Sequence, residues 1–163
     1  MNEQYAAMIV GLPLFQGYTL HGAQFLLESG QIKEHESGEV LCREGDAATF
    51  VILVLSGEVE VFVERERRTL SLTHAGPGTI LGELAVLCGI PRSASMRASE
   101  KLVALHWSTE GFRRMLLRNA SLSERILRQS LRMLIEKDQT LINSLGKAGE
   151  SQTQVQPQAV QET

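Results

Sequence analysis

In the first thirty residues apolar positions recur at spacings of three and four. Tyr5, Met8, Ile9 and Leu12 line one helical face, and Pro13 then interrupts it. A second helical patch carries Leu20, Phe25, Leu26 and Leu27 and stops at Gly30. From about 31 to 107 the period shortens. Ile32, Val40-Leu41, Phe50 to Leu55, Val59 to Val63, Leu70 to Leu72, Ile80-Leu81 and Leu102 to Leu105 are short strand-like runs. Val59, Val61 and Val63 alternate with Glu60, Phe62 and Glu64, which predicts a half-buried strand. Turn formers separate the runs: Ser37-Gly38, Gly45-Asp46, Ser56-Gly57 and Gly76-Pro77-Gly78. Many short strands at even spacing, with no helical stretch between them, predict a closed all-β body, a barrel or jelly roll.

Helical periodicity returns after Trp107. Ser108 or Thr109 is placed to cap a short helix with Phe112, Met115, Leu116 and Leu117. Ser121-Leu122-Ser123-Glu124 has capping-box spacing and opens a long helix expected to reach Leu145 and end at Gly146. Leu127, Leu131, Leu134, Leu141 and Leu145 form a four-three seam, with Asp138 at the missing position. These elements give one domain over 1–145, its β body at about 31–107 and its C-terminal helices at about 109–145. A polar tail without aromatic residues, expected to be disordered, covers 146–163.

Composition narrows the function. The chain of 163 residues carries a formal charge of −3, so no overall basic footprint favours nucleic acid or an anionic membrane. No apolar run approaches the roughly 20 residues needed to span a bilayer. The N-terminus lacks the basic-then-apolar order of a secretory signal, so a cytoplasmic location is expected. Cys42 and Cys88 have neither metal-ligand nor disulfide spacing and read as buried free thiols. His21, His35, His74 and His106 stand apart from any nucleophile or metal partner and read as surface or capping residues. Without a phosphate loop of the nucleoside-triphosphate type either, no enzyme activity and no cofactor or metal is expected.

The informative stretch is Gly76-Pro-Gly-Thr-Ile-Leu-Gly-Glu-Leu-Ala-Val-Leu-Cys-Gly-Ile-Pro-Arg-Ser-Ala94. Gly82, at a strand end, lets the backbone turn and approach a partner closely. The residues after it form one helical turn whose free amides favour an anion. Arg92 offers a planar fork of donors that matches phosphate oxygens. Glu83, of opposite charge, suits hydroxyl groups beside that phosphate. The pair fits a nucleotide; it also fits a plain salt bridge closing a loop.

This stretch resembles the phosphate-binding cassette of cyclic nucleotide-binding domains, of the cAMP receptor protein and protein kinase A regulatory subunit type. The cassette pattern is roughly G-E-L-A, a spacer, then P-R-[SAT]-A. Pro13-Leu14-Phe15, Gly38-Glu39-Val40-Leu41, Glu44-Gly45-Asp46, Leu55-Ser56-Gly57-Glu58-Val59-Glu60-Val61 and Phe112 with Leu116-Leu117 extend the likeness over about 12–137. The resemblance implies a mainly β fold, an eight-stranded β-roll of jelly-roll type with N-terminal helices and a long C-terminal helix. It implies that Glu83 accepts from the ribose 2′-hydroxyl and that Arg92 pairs with the cyclic phosphate. Gly82, Leu84 and Ala85 supply close approach and backbone amides, and Ser93, beside Ala94, a hydroxyl near phosphate or base. Val61, Val63, Val86 and Leu87 are wall candidates, and Leu131, Leu134 and Ile135 are lid candidates on the long helix. Relatives with Thr at the Ser93 position favour guanine and those with Ala or Ser bind cAMP, so serine points to cAMP with cGMP open.

The expected role is therefore a cyclic-nucleotide sensor acting on another, unidentified effector protein. The alternative is a ligand-independent scaffold that keeps the fold. Relatives that regulate transcription follow the long helix with a DNA-binding domain; the polar residues after Leu145 do not make one, so DNA binding by that route is not expected. The leucine seam has two partners open to it, its own barrel or a twin helix in a parallel homodimer.

Overall fold

The computed structural model describes residues 2–150. Two helices, α1 (Asn2–Gly11) and α2 (Leu20–Glu28), flank a 3₁₀ turn at Pro13–Phe15, so Pro13 breaks the helix where its missing N–H dictates. Eight strands follow: β1 (Gln31–His35), β2 (Val40–Cys42), β3 (Phe50–Ser56), β4 (Val59–Arg65), β5 (Arg68–Ala75), β6 (Ile80–Leu81), β7 (Ser95–Ala98) and β8 (Leu102–Ser108). A short helix α3 (Glu83–Cys88) is set between β6 and β7, and α4 (Thr109–Arg118) and α5 (Ala120–Glu150) close the described chain. The strands form two antiparallel four-stranded sheets, ordered β1-β8-β3-β6 and β2-β7-β4-β5.

The sheets face each other over one apolar cluster, and the helices cover the first sheet over another. Ile52 and Val54 of β3 point between the sheets with Val59, Val61, Val63, Leu72 and Leu102. Val51, Leu53 and Leu55 point the other way, into Phe15, Leu26, Trp107, Phe112, Leu122 and Ile126. A strand covered on both faces loses the apolar-polar alternation, which is why β3 reads as one continuous run. On β4 the valines face inward as expected. Phe62 between them is also buried, beneath the Arg97 guanidinium 4.7 Å from its ring.

Three expectations change at the C-terminal helices and the thiols. Asn119, not Ser121, caps α5: its Oδ1 accepts from Leu122 N at 2.9 Å. Gly146 does not end the helix, which continues to Glu150, so the expected tail loses its first five residues; 151–163 lie outside the described residues. Cys42 is buried but Cys88, at the end of α3, is exposed.

Of the histidines, His21 and His74 are exposed as expected, and His106, with its neighbour His35, is the correction. His106 on β8 is buried, its Nε2 3.0 Å from Nε2 of His35, whose Nδ1 lies 2.7 Å from Glu39 Oε1. Burial first, and the neighbouring His35 and Lys33 next, push the His106 pKa down to about 4 against the pull of Glu39. The contact needs one Nε2 to donate and the other to accept, which a neutral His106 ring allows.

The unfolded chain takes up the His106 proton near pH 6.5, whereas the folded chain resists until about 4. The stability this contributes is complete only above the ordinary histidine range. It falls as the pH drops toward 4, by up to about 3 kcal/mol. Urea unfolding between pH 7 and 4.5 should show this loss in the parent. In His106→Gln the same pH interval should be flatter.

Candidate functional site

At one end of the β-roll, β6 runs into α3 through Gly82, whose φ of +85° lies in the left-handed region. The structural reason is Arg92. A Cβ on Gly82 would stand 2.3 Å from Arg92 Nη1 and 3.3 Å from the Phe50 carbonyl. Without it, the guanidinium lies flat in the cleft: Nη1 donates to the Gly82 carbonyl at 2.9 Å and Nη2 to the Phe50 carbonyl at 2.5 Å. The Phe50 ring packs 4.6 Å from the guanidinium carbon, and His106 stacks on that ring at 5.4 Å.

The main chain of Arg92 is fixed independently. Its N–H donates to the Asp46 carbonyl and its carbonyl accepts from Gly45 N, both at 2.8 Å. This reciprocal pair ties the cassette to the β2–β3 turn. Asp46 Oδ2 in turn accepts from Arg43 N at 2.8 Å, and Ser95 Oγ from Glu44 N at 2.9 Å. The Gly45-Asp46 turn read from the sequence thus clamps the cassette arginine.

Glu83 opens α3, 5% exposed. Burial raises its carboxyl pKa against a hydrogen bond from Ser130 and the charges of Lys137 and Arg92. Ser130 Oγ lies 2.8 Å from Ile126 O as well, so the one hydroxyl is shared between α5 and Glu83, and the first turn of α3 rests on α5. Arg92 is 4% exposed, and burial lowers its pKa. The two charges therefore share one cleft without closing it as a simple salt bridge: the Arg92 bonds go to carbonyls and the Glu83 contact goes to Ser130. Arg92 Nε is the one buried side-chain polar atom without a partner among the described residues. A buried donor left unmatched costs about 1–3 kcal/mol, and an anion would offset that cost.

The cleft is lined by Val61, Leu81, Gly82, Glu83, Leu84, Ala85, Arg92, Ser93, Ala94, Met96, Met133 and Lys137. The structure thus brings the seven cassette residues named from the sequence together, with Val61. It does not bring the other candidates there. Val63 points into the cluster between the sheets, Val86 packs beneath the helices and Leu87 is exposed. The lid candidates are corrected as well. Leu131, Leu134 and Ile135 are 49%, 39% and 58% exposed on the outer face of α5. The inner face presents Gln129, Ser130, Met133, Lys137 and Leu141 instead. Gln129 accepts from Ile80 N at 2.7 Å and donates to Gly78 O at 3.0 Å, a double bond to the strand that leads into the cassette. The sequence signal for Met133 and Lys137 was the spacing of four that runs from Gln129 through Met133 and Lys137 to Leu141.

Met133 and Lys137 complete the lining of this half-open cleft, whose cavity is about 50 Å³. Pockets that take small molecules begin at roughly 300 Å³, so the cleft must widen to seat one. Among the described residues no group of three or more His, Cys, Asp or Glu is gathered as for a metal ion, and no helix is long and apolar enough to cross a membrane.

Comparison with known proteins bears on this geometry. The model of the cyclic nucleotide-binding domain matches residues 25–119. A cAMP-dependent protein kinase regulatory subunit of Yarrowia lipolytica is 31% identical over 104 residues, 64% of this chain and 27% of that protein. The catabolite activator protein of Thermus thermophilus superposes with a TM-score of 0.68 at 28% identity, covering 79% of this chain and 61% of that one. A cAMP-binding acyltransferase from Mycobacterium smegmatis gives 0.65 at 27%, covering 78% and 40%. The chain spans less than a third of the curated relative's length.

The Gly82 seat can be tested without any ligand. Gly82→Ala should lower stability by about 2–4 kcal/mol, combining left-handed strain with expulsion of the guanidinium. In an Arg92→Ala background the same change should cost only the strain, about 1–2 kcal/mol. Urea unfolding of the four proteins in this cycle measures the difference. Equal costs in both backgrounds would separate Gly82 from the arginine.

Proposed function

The chain belongs to the cyclic nucleotide-binding domain family, and from that premise we propose that it is a ligand-responsive regulatory module for a cyclic nucleotide, cAMP first. The observation that carries the reading is the buried Arg92 guanidinium, held in a cleft beside an acid with one donor unmatched. A scaffold that binds nothing has no need of a buried arginine with an orphaned N–H. A cyclic phosphate accepts from Arg92, and the ribose 2′-hydroxyl bonds to Glu83. The names of the kinase regulatory subunit and of the acyltransferase, both of which mention cAMP, support the choice of base. Ser93, exposed at the rim, leaves room for cGMP. The role is binding rather than turnover, in the cytoplasm, with the domain formed by residues 1–145.

The route of the signal follows from the narrowness of the cleft and from the position of α5 along it. A ligand shifts a conformational equilibrium only through its different affinity for the two forms. Met133 and Lys137 stand in its way, and Ser130 rests on the acid it uses. Ligand entry therefore acts on α5 directly. The outer face of that helix carries Leu127, Leu131, Leu134, Ile135, Ile142 and Leu145, all exposed. This face is the surface through which α5 passes its position on, to an effector protein or to a second copy.

Calorimetric titration tests the reading. The parent should bind cAMP in the micromolar range, and Arg92→Ala should lose about 30-fold or more, the cost of stranding one member of a buried charged contact. Arg92→Lys should also weaken binding, because an ammonium lacks the fork. Unchanged affinity in Arg92→Ala would remove the phosphate role.

Two further arms locate the sugar and the relay. The parent should discriminate against 2′-deoxy-cAMP more strongly than Glu83→Ala does, since only the parent leaves a buried carboxyl unpaired. Hydrogen exchange should report changed protection along α5 on adding cAMP. Unchanged protection there would send the signal out through α1 and α2 instead.

A further inference from the structure

Away from the cleft, at the β1 edge of the first sheet, two imidazoles meet. Leu102, Ala104 and His106 alternate along β8 on the face turned to the opposite sheet, and the β1–β8 register sets Lys33 and His35 on that same face. Ala104, opposite Lys33, carries only a methyl, so the two rings lean together until their Nε2 atoms are 3.0 Å apart. Each ring is also held from behind. His35 Nδ1 lies 2.7 Å from Glu39 Oε1, and Glu39 Oε2 accepts from Glu36 N at 3.0 Å. His106 stacks on the Phe50 ring at 5.4 Å.

These are the parts of a metal site. A metal-bound histidine ordinarily donates its second ring nitrogen to a carboxylate, which fixes the tautomer and leaves the other lone pair for the ion. Glu39 is placed to do this for His35. Burial keeps His106 neutral down to about pH 4, so that ring also has a lone pair to offer. Two metal–imidazole bonds of about 2.1 Å set at right angles put their nitrogens about 3.0 Å apart, whereas a tetrahedral angle needs about 3.4 Å. A groove of about 510 Å³, lined by Glu28, Lys33, Phe50 and His106 among others, admits an ion and its water from solvent. Glu28 and Glu39 offset the charge of Lys33. We propose that His35 and His106 form a two-imidazole site for a divalent transition-metal ion with ligands at right angles, of the nickel and copper class. The ion replaces the proton between the two Nε2 atoms, His106 then carries its proton on Nδ1, and water completes the coordination. A pair of imidazoles falls short of the three protein ligands of a structural centre, so the ion is held reversibly. The site stands independently of the nucleotide reading.

Calorimetric titration of Ni²⁺ into the chelator-stripped full-length chain at neutral pH tests the site, with thermal unfolding as a second readout. The parent should take up one equivalent in the micromolar range and unfold at a higher temperature with Ni²⁺ present, since an ion bound only by the folded chain stabilises it. Glu39→Ala should lose about tenfold in affinity, the low end for removing the partner behind a metal-bound histidine. His35→Gln and His106→Gln should each lose more than that, together with the thermal gain. If His106→Gln does not fold, His35→Gln, on the edge strand, carries the test. His74→Gln is the control: His74 is exposed on β5 and also faces a glutamate, Glu58, and its loss should leave binding as in the parent. A parent that takes up no Ni²⁺, or an affinity that survives the changes at 35 and 106, would make the contact a hydrogen bond only and overturn the site. An equal loss in His74→Gln would overturn it too, by spreading the binding over exposed histidines.

Discussion

A buried guanidinium has to be satisfied on every side, and most of the site follows from that demand on Arg92. It explains the left-handed glycine at 82, because a single extra carbon there would occupy the space of Nη1. It explains why the Phe50 carbonyl and ring both turn toward the cleft. It also explains the β2–β3 turn, whose backbone holds the arginine main chain at two points so that little conformational freedom remains to be lost on binding. An arginine positioned by protein carbonyls before any ligand arrives has already met part of its ordering cost, and its residual donor points to the kind of group that would complete it.

Beside the apolar packing of Phe112, Leu122 and Ile126, a set of polar contacts joins the helices to this centre. Gln129 and Ser130 reach β6 and α3, Arg113 of α4 donates to Val86 O at the far end of α3, and Arg125 donates to the carbonyls of Leu14 and Gln16. α5 thus touches the N-terminal turn, the strand before the cassette and the cassette helix along one inner face. The long leucine seam on its other side contributes little to holding it in place.

Sequence reasoning reached the β-roll because its signals are local: valines alternating along β4, glycines at turns, a proline after the first helix. It reached Gly82, Glu83 and Arg92 because the cassette is contiguous and each residue's chemistry is written in its type. It misjudged α5 because periodicity reveals that a helix has faces without revealing which face is covered. Here the covered face is apolar at Leu122 and Ile126 and turns mostly polar over the charged cleft, so Leu131, Leu134 and Ile135 were named where Met133 and Lys137 belong. The His35–His106 contact was out of reach for another reason. Its two rings are 71 residues apart and meet only once β1 pairs with β8.

The double hydrogen bond of Gln129 has a consequence for how the switch behaves in time. Its amide supplies the partner of the Ile80 N–H and of the Gly78 carbonyl together, so α5 cannot slide away by small steps while keeping one of them well formed. Losing both strands two main-chain groups at once, a cost of about 1–3 kcal/mol for each if water does not replace the amide. Intermediate positions of the helix are therefore higher in energy than either end, so the helix divides its population between two discrete arrangements, and a ligand that favours one sets the fraction of molecules in each.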